Sequence, residues 1–394
     1  MKDNILKLYV IKAIGWFLLI MPIVVPFYVS NGLSMHEVFL LQAAYSIIIV
    51  LFEIPSGYLA DLFGRKKTIV FGVILDFIGF FIYASSTSFS GFLIAEIILG
   101  LGQSMVSGAD SALLYESVLE KKGDSKEYTR YEGRLTSIGN FSESIAGITG
   151  GFIAIISFRM PYIVQTAIAF LAIPIAFTLH EPRMYLANTK PNWIQFKSFL
   201  AEAFYKNKQL SSVILFSSIT GACTLTLAWV VQPFFKNIEV PIMYYGVLWT
   251  IINFSVGIAS LFAYKAEQAF SLQLNFIFIA VFLPICYLFL GVSSIGYWGL
   301  LVILVGYLIR GFASPIFKNE INKYTTIANR ATILSVRNFL IRVVFSVIGP
   351  LTGWLMDVYS FSKAMVLIGL IYSVLMIVSS LFASQILINK KSTQ

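Results

Sequence analysis

Glu53, Asp76, Glu96, Asp110 and Glu143 are carboxylic acids set inside long apolar runs; Arg310, Lys318 and Arg342 are bases set the same way. A charge is expensive in hydrocarbon, so each is a candidate to move an ion, hold a solute or bind an opposite charge. The acids fall in the first half of the chain and the bases in the second. Lys12 is the exception; it lies about two turns from a polar end and is expected to snorkel. Glu96, Gly100, Gln103, Ser107 and Asp110 are spaced i, i+4, i+7, i+11 and i+14, so they share one helical face. Such a face must look at protein or water, not lipid. It reads as a cavity wall with two titratable groups, or more plainly as a polar packing seam. Thr136, Asn140, Glu143, Gly147 and Gly150 or Gly151 form a second stripe, which reads equally as glycine-mediated helix packing. Glu96, Asp110 and Glu143 are therefore the candidates to carry a proton. Gln103, Ser107, Asn140 and Arg310 are the candidates to touch a solute. Arg310 would either bind an anionic group of that solute or pair permanently with an acid such as Asp110. Asp76 reads as structural.

These side chains have to be positioned by membrane helices. The chain of 394 residues is 58% hydrophobic and only 12% charged, whereas soluble domains are about 25% charged. A spanning helix needs about 20 mainly apolar residues. Twelve such runs are predicted, at about 5–29, 37–62, 68–86, 90–118, 132–156, 161–180, 210–235, 242–264, 271–291, 296–320, 331–356 and 362–387. The net charge of +9 comes largely from loops on one side of these runs, among them Arg65 to Lys67, Lys121, Lys122, Lys206 and Lys208. Retention of bases at the cytoplasmic face explains that charge better than nucleic acid does, and it puts both termini in the cytoplasm. Residues 181–209 form a linker between an N-terminal half, 1–180, and a C-terminal half, 210–394. Glu181-Pro182-Arg183 stops the sixth helix, and Trp193 to Tyr205 would make a helix on the membrane surface. Cys223, Cys286, His36 and His180 have no metal-ligand spacing. No phosphate-binding glycine loop and no nucleophile–base pattern is visible, so neither enzyme chemistry nor a cofactor is expected.

The loop between the second and third runs reads Gly57-Tyr58-Leu59-Ala60-Asp61-Leu62-Phe63-Gly64-Arg65-Lys66-Lys67. It resembles the loop between helices two and three of major facilitator superfamily transporters, G-x-L-x-D-x-x-G-R-K-x, at Gly57, Leu59, Asp61, Gly64, Arg65 and Lys66. Weak internal repeats agree with that resemblance. Pro26-Phe27-Tyr28 parallels Pro233-Phe234-Phe235, and Ala146 to Gly151 parallels Gly349 to Trp354. Paired halves with a site between them are a common transporter plan. The resemblance implies an all-α membrane protein with twelve helices in two six-helix halves around a central cavity. It also implies that helices one, four, seven and ten line that cavity, and that Asp61 faces the N-terminus of helix eleven.

Two departures matter. The family pattern on helix four, R-x-x-x-G-x-G, has Glu96 where the arginine stands, so that arginine's role does not transfer. The exporter pattern on helix five, G-P-x-x-G-G, appears here as Ala146-Gly147 followed by Gly150-Gly151. The resulting expectation is a proton-coupled exporter of a small organic solute, monomeric, in a bacterial cytoplasmic (inner) membrane, with protons and lipid as its other partners. An importer of an anionic solute and a transporter-like receptor that moves nothing are the alternatives. Helix spacing also places Glu53 and Arg342 at similar depth on helices two and eleven, which the resemblance makes neighbours. They are expected to form an ion pair between the halves that changes with conformational state.

Overall fold

In lipid, each backbone N–H and C=O must find its partner inside the chain, and apolar runs of this length do so as helices. The structure, a computed structural model, describes residues 4–122, 128–181, 207–292, 295–324 and 330–391, and no β-strand occurs among them. The proposed surface helix at 193–205 lies outside the described residues. The helices are α1 (Asn4–Trp16), α2 (Val24–Ser30), α3 (Met35–Phe63), α4 (Arg65–Ser85), α5 (Phe89–Lys122), α6 (Tyr128–Ile153) and α7 (Met160–Phe177). After the linker come α8 (Lys208–Asn237), α9 (Tyr245–Ala269), α10 (Leu272–Leu290), α11 (Trp298–Lys323), α12 (Arg330–Val358) and α13 (Phe361–Lys391).

Among the described residues, eleven segments are long and apolar enough to cross a membrane. The fifth predicted span, α6, is helical over 26 residues but is not among them. Its polar positions, Thr136, Asn140 and Glu143, dilute its apolar surface. The first predicted span, 5–29, is not one helix. It breaks after Trp16, passes through a short 3-10 turn at Met21–Ile23, and resumes as α2. Pro22 and Pro26 each remove a backbone donor from this stretch. The break leaves the Leu19 N–H without a helical acceptor, and the Oε1 of Gln165, a buried residue of α7, accepts it at 2.9 Å.

The chain forms two compact units. The first contains Met1–Leu33, Ala44–Pro191 and Pro241–Thr250; the second contains Ser34–Ala43, Asn192–Val240 and Ile251–Gln394. In the first, α4 packs along α5 and α7, and α1 packs on α6 and α7. Small residues allow the close approach: a methyl on Gly72 would lie 3.0 Å from the Gly102 carbonyl oxygen. Ile5, Leu8, Ile69, Leu113, Leu135 and Ala176 are part of its apolar core. In the second unit, α8 is the most buried helix and packs against α11, α12 and α13. The rings of Phe216, Phe276 and Phe317 cluster beside it, and the Tyr287 hydroxyl donates to the Cys223 carbonyl at 2.6 Å.

Each unit thus includes a short piece from the other side of the linker. In the first, Gly246 at the start of α9 meets α6 so closely that a methyl on it would sit 2.1 Å from the Gly147 carbonyl oxygen. In the second, the start of α3 crosses α12 at Gly353, where a methyl would sit 2.4 Å from the Met35 carbonyl oxygen. The Asp357 carboxylate accepts from the backbone N–H of Met35 (2.9 Å) and His36 (2.7 Å). That satisfies two of the donors a helix start leaves open, and the negative charge suits the helix dipole there. Glu37 and Ser34 complete the cap reciprocally.

Candidate functional site

Glu96 lies seven residues into α5, about 10 Å along its axis. It is 5% exposed and enclosed by aromatic rings from three other helices. The Tyr28 hydroxyl of α2 donates to its Oε1 at 2.9 Å. Tyr83 of α4 hydrogen-bonds both Tyr28 and Glu96. Tyr162 of α7 is close enough for its phenol to sense the Glu96 charge, and its hydroxyl is buried with no partner among the described residues. Phe27 stacks on Tyr162 at 3.9 Å between ring centroids, and Phe92 closes the group edge-on to Tyr28. Arg159 caps this assembly. Its guanidinium lies over the Phe27 ring and donates to the carbonyls of Ala84 and Ser86, which end α4, and to Asn31 Oδ1. Its charge is therefore taken up by helix-end carbonyls, which favour a cation. Phenols can pass a proton to or from a carboxyl in contact with them, so this group can hold and move one proton in a dry setting.

The rest of the α5 stripe is uneven. Gly100 is buried against Ile48 and the Tyr45 carbonyl, Gln103 is half-buried and Ser107 is exposed. Asp110, about 21 Å from Glu96 along the helix, is buried and accepts from Lys12 Nζ at 2.9 Å. Lys12, expected to snorkel, is instead the ion-pair partner of Asp110. The expected Arg310 partnership is not needed to neutralise that acid. Ser111 beside it donates through its backbone to Asp110 and through its hydroxyl to Glu132.

On α6, Asn140 is exposed and Glu143 half-buried, while Gly147, Gly150 and Gly151 are all buried. Gly150 faces the broken first span; a methyl on it would lie 1.9 Å from the Leu19 carbonyl oxygen. Gly151 and Gly147 face the start of α9. The glycines that resemble an exporter motif here serve close helix contact. On α4, Asp76 sits against α5, with its Oδ1 2.4 Å from where a methyl on Gly102 would be.

The loop motif is built as a charged turn. Gly64 has φ +104°, a conformation that disfavours any residue with a side chain. It begins α4, and the Glu181 carboxylate lies over that helix start, accepting from the N–H of Arg65 (2.6 Å) and Lys66 (2.9 Å). A methyl on Gly64 would lie 2.9 Å from Glu181 Oε2. Arg65 Nε also reaches Glu116 of α5 at 3.5 Å. By sequence Glu181 reads as a helix stop; its role as a cap on α4 depends on a contact across 115 residues that no local pattern announces. The Asp61 side chain lies outside what the structure describes.

Four bases lie within the apolar helices of the second unit. Arg310 is half-buried and sits over the Tyr307 ring, Arg342 is half-buried, and Lys318 is on the exposed side of α11. The fourth, Arg337, is not one of the sequence candidates, although it lies six residues past the start of the predicted span 331–356. It is 7% exposed. No ion pair joins any of the four to an acid among the described residues. Glu320, nearby on α11, is held by Lys323 at 2.8 Å. Tyr324, just beyond that span, has its phenol pushed up by burial and then by the Glu320 carboxylate it contacts. Glu53 belongs to the first unit and Arg342 to the second.

The sequence model of the Major Facilitator Superfamily matches residues 7–350. The quinolone resistance protein NorA of Staphylococcus aureus (strain MRSA252) is 27% identical over 361 residues, which cover 85% of each chain. The crystal structure of the nucleoside transporter NupG superposes with a TM-score of 0.82 at 13% identity, over 96% of this chain and 99% of that one. A crystal structure of the peptide transporter POT does so with a TM-score of 0.77 at 15% identity, over 98% and 95%.

Proposed function

The chain belongs to the major facilitator superfamily, a family of membrane transporters and not of enzymes, and from that premise we propose that it is a proton-coupled exporter of a small organic solute. Its place would be the bacterial cytoplasmic membrane, with both termini in the cytoplasm, working by alternating access. Similarity to a quinolone resistance protein, NorA, over 85% of each chain supports export of such a solute. The observation that carries the coupling is Glu96: a buried carboxyl in contact with two phenols and beside a third, on the helix the family uses to line its cavity. Asp110 is the weaker candidate because Lys12 already holds it, and Glu143 stands between them. Gln103, Ser107, Asn140 and Arg310 are proposed solute contacts. The test is transport in inside-out vesicles energised by an inward-acid gradient. Accumulation that collapses when the gradient is dissipated is expected; accumulation only in right-side-out vesicles would reverse the direction.

A second reading, import of an anionic solute, is favoured by one observation: the bases Arg310, Arg337 and Arg342 have no acid partner among the described residues. The same two vesicle orientations separate it from the first.

The Glu53–Arg342 pair is proposed on helix spacing and on the family resemblance that makes their helices neighbours. Removing one partner of a buried pair leaves an uncompensated charge and costs more than removing both. Glu53→Gln and Arg342→Gln are each expected to lower transport several-fold, and the double variant to recover part of it. Additive losses at equal expression would remove the pair.

A further inference from the structure

Arg337 is the unexplained charge of the second unit. A guanidinium does not give up its proton in a protein, so burial cannot neutralise it. Its Nε–H donates to Ser217 Oγ of α8 at 3.1 Å. The four hydrogens on its two terminal nitrogens have no acceptor among the described residues. The side chain is otherwise enclosed, but these terminal nitrogens are not among the fully buried unpaired atoms, so the tip of the fork reaches accessible space. Glu320, the acid two residues from Lys318 on α11, is engaged by Lys323 and Tyr324. A second base makes the deficit larger. Lys318 of α11 is close enough to feel Arg337 as a like charge, and it too has no acid partner among the described residues.

The three side chains lie at comparable depth. Arg337 is seven residues from the start of α12, Lys318 five from the end of α11, and Ser217 nine from the start of α8. At 1.5 Å per residue these are about 10, 8 and 14 Å inside the same end of one unit. Ser218, the next residue of α8, donates to the Arg337 carbonyl at 3.3 Å and fixes that turn of α12 against α8. The guanidinium fork is thus held at one edge by Ser217, and its other edge, which has no acceptor among the described residues, is shaped for a two-point contact. A carboxylate or phosphate is the group whose oxygens match such a fork, while an ammonium adds a point charge beside it.

We propose that Arg337, Lys318 and Ser217 form a recognition site for one anionic group, a carboxylate or phosphate, near the linker-side end of the second unit. The proposal does not depend on the direction of transport or on Glu96. The anion is carried either by a free solute or by a lipid headgroup, and the two sources are separable.

The full-length protein, purified in a neutral detergent, is titrated with inorganic phosphate, and separately with acetate, against chloride at equal ionic strength, reading thermal stability. A parallel arm uses nanodiscs of zwitterionic lipid with and without phosphatidylglycerol. A saturable rise in melting temperature with phosphate or acetate assigns the site to a free anion. A rise only with phosphatidylglycerol assigns it to lipid. Either rise is expected to vanish in R337M, which should fold because exchanging a buried charge for an apolar side chain of similar volume is often neutral or stabilising. K318Q should weaken the apparent affinity about tenfold, the effect of one lost charge–charge contact of about 1.4 kcal/mol. R337K should keep part of the rise, having the charge but not the fork. Equal responses in the wild type and R337M, or no response to any of the three anions, would overturn the site.

Discussion

Glu96→Gln is expected to abolish pH-gradient-driven accumulation while leaving solute exchange and expression near those of the unaltered protein. The amide has nearly the shape of the carboxyl, and its oxygen can still accept from the Tyr28 hydroxyl that now donates at 2.9 Å. The aromatic enclosure of Phe27, Phe92, Tyr83 and Tyr162 has no reason to repack. What is lost is the one carboxyl of the group, and the amide that replaces it can neither take up nor release a proton. Accumulation should therefore fall to the level of an uncoupled carrier. Asp110→Asn makes the contrast. It leaves Lys12 without its partner in a largely buried setting, and breaking a buried pair costs about 3–5 kcal/mol, less here because Lys12 keeps some exposure. That variant should lose stability first, and Lys12→Met with Asp110→Leu should restore much of it. Proton-driven accumulation that survives in Glu96→Gln at wild-type rate would take coupling away from this carboxyl.

Gly150→Ala is expected to be the most damaging of the glycine substitutions on α6. The added methyl would lie 1.9 Å from the Leu19 carbonyl oxygen and 2.8 Å from its carbon. Both are backbone atoms, so no rotamer change relieves the clash. Leu19 cannot easily retreat, because its N–H is tied to Gln165, which is 1% exposed. Overpacking in a tight interior typically costs about 1–3 kcal/mol, and a contact this short sits at or beyond the upper end. Gly147→Ala should be milder, since its methyl would meet the Thr250 hydroxyl oxygen at 3.1 Å. Gly15→Ala meets nothing within 4 Å and serves as the control. Fluorescence-detected size exclusion after heating would rank the three. A Gly150→Ala protein that melts with the wild type would mean that α6 and the first span are not in firm contact.

The architecture was legible because the bilayer leaves few choices: long apolar runs must be helices, and their number and the loop motif point to one family. What the runs could not show is where a helix is interrupted and then satisfied by a distant side chain. The break at Phe17 to Ile20 is repaired by Gln165, almost 150 residues away. The α5 stripe was visible from spacing, but spacing cannot tell a carboxyl in an aromatic enclosure from one that faces water. Tyr28, Tyr83 and Tyr162 come from three helices, and none stands out among 20 tyrosines in the sequence. Lys12 illustrates the same limit. Its distance from the polar end predicted snorkelling, whereas the residue that decides its fate, Asp110, is 98 positions away. Arg337 is different: its signal is local, a base inside an apolar run five residues before Arg342.

The exchanged segments bear on how the protein is made. The first unit includes Pro241–Thr250, and Gly147 and Gly151 pack against that stretch. When the first seven helices have left the ribosome, those glycines still lack their partner, about a hundred residues downstream. The start of α3 waits longer, since Gly353 and Asp357 lie more than 300 residues downstream of it. Domains usually fold one after another as they emerge. Here neither unit is complete until most of the chain has entered the membrane. A gene cut at the linker would give two pieces that each need the other present during insertion.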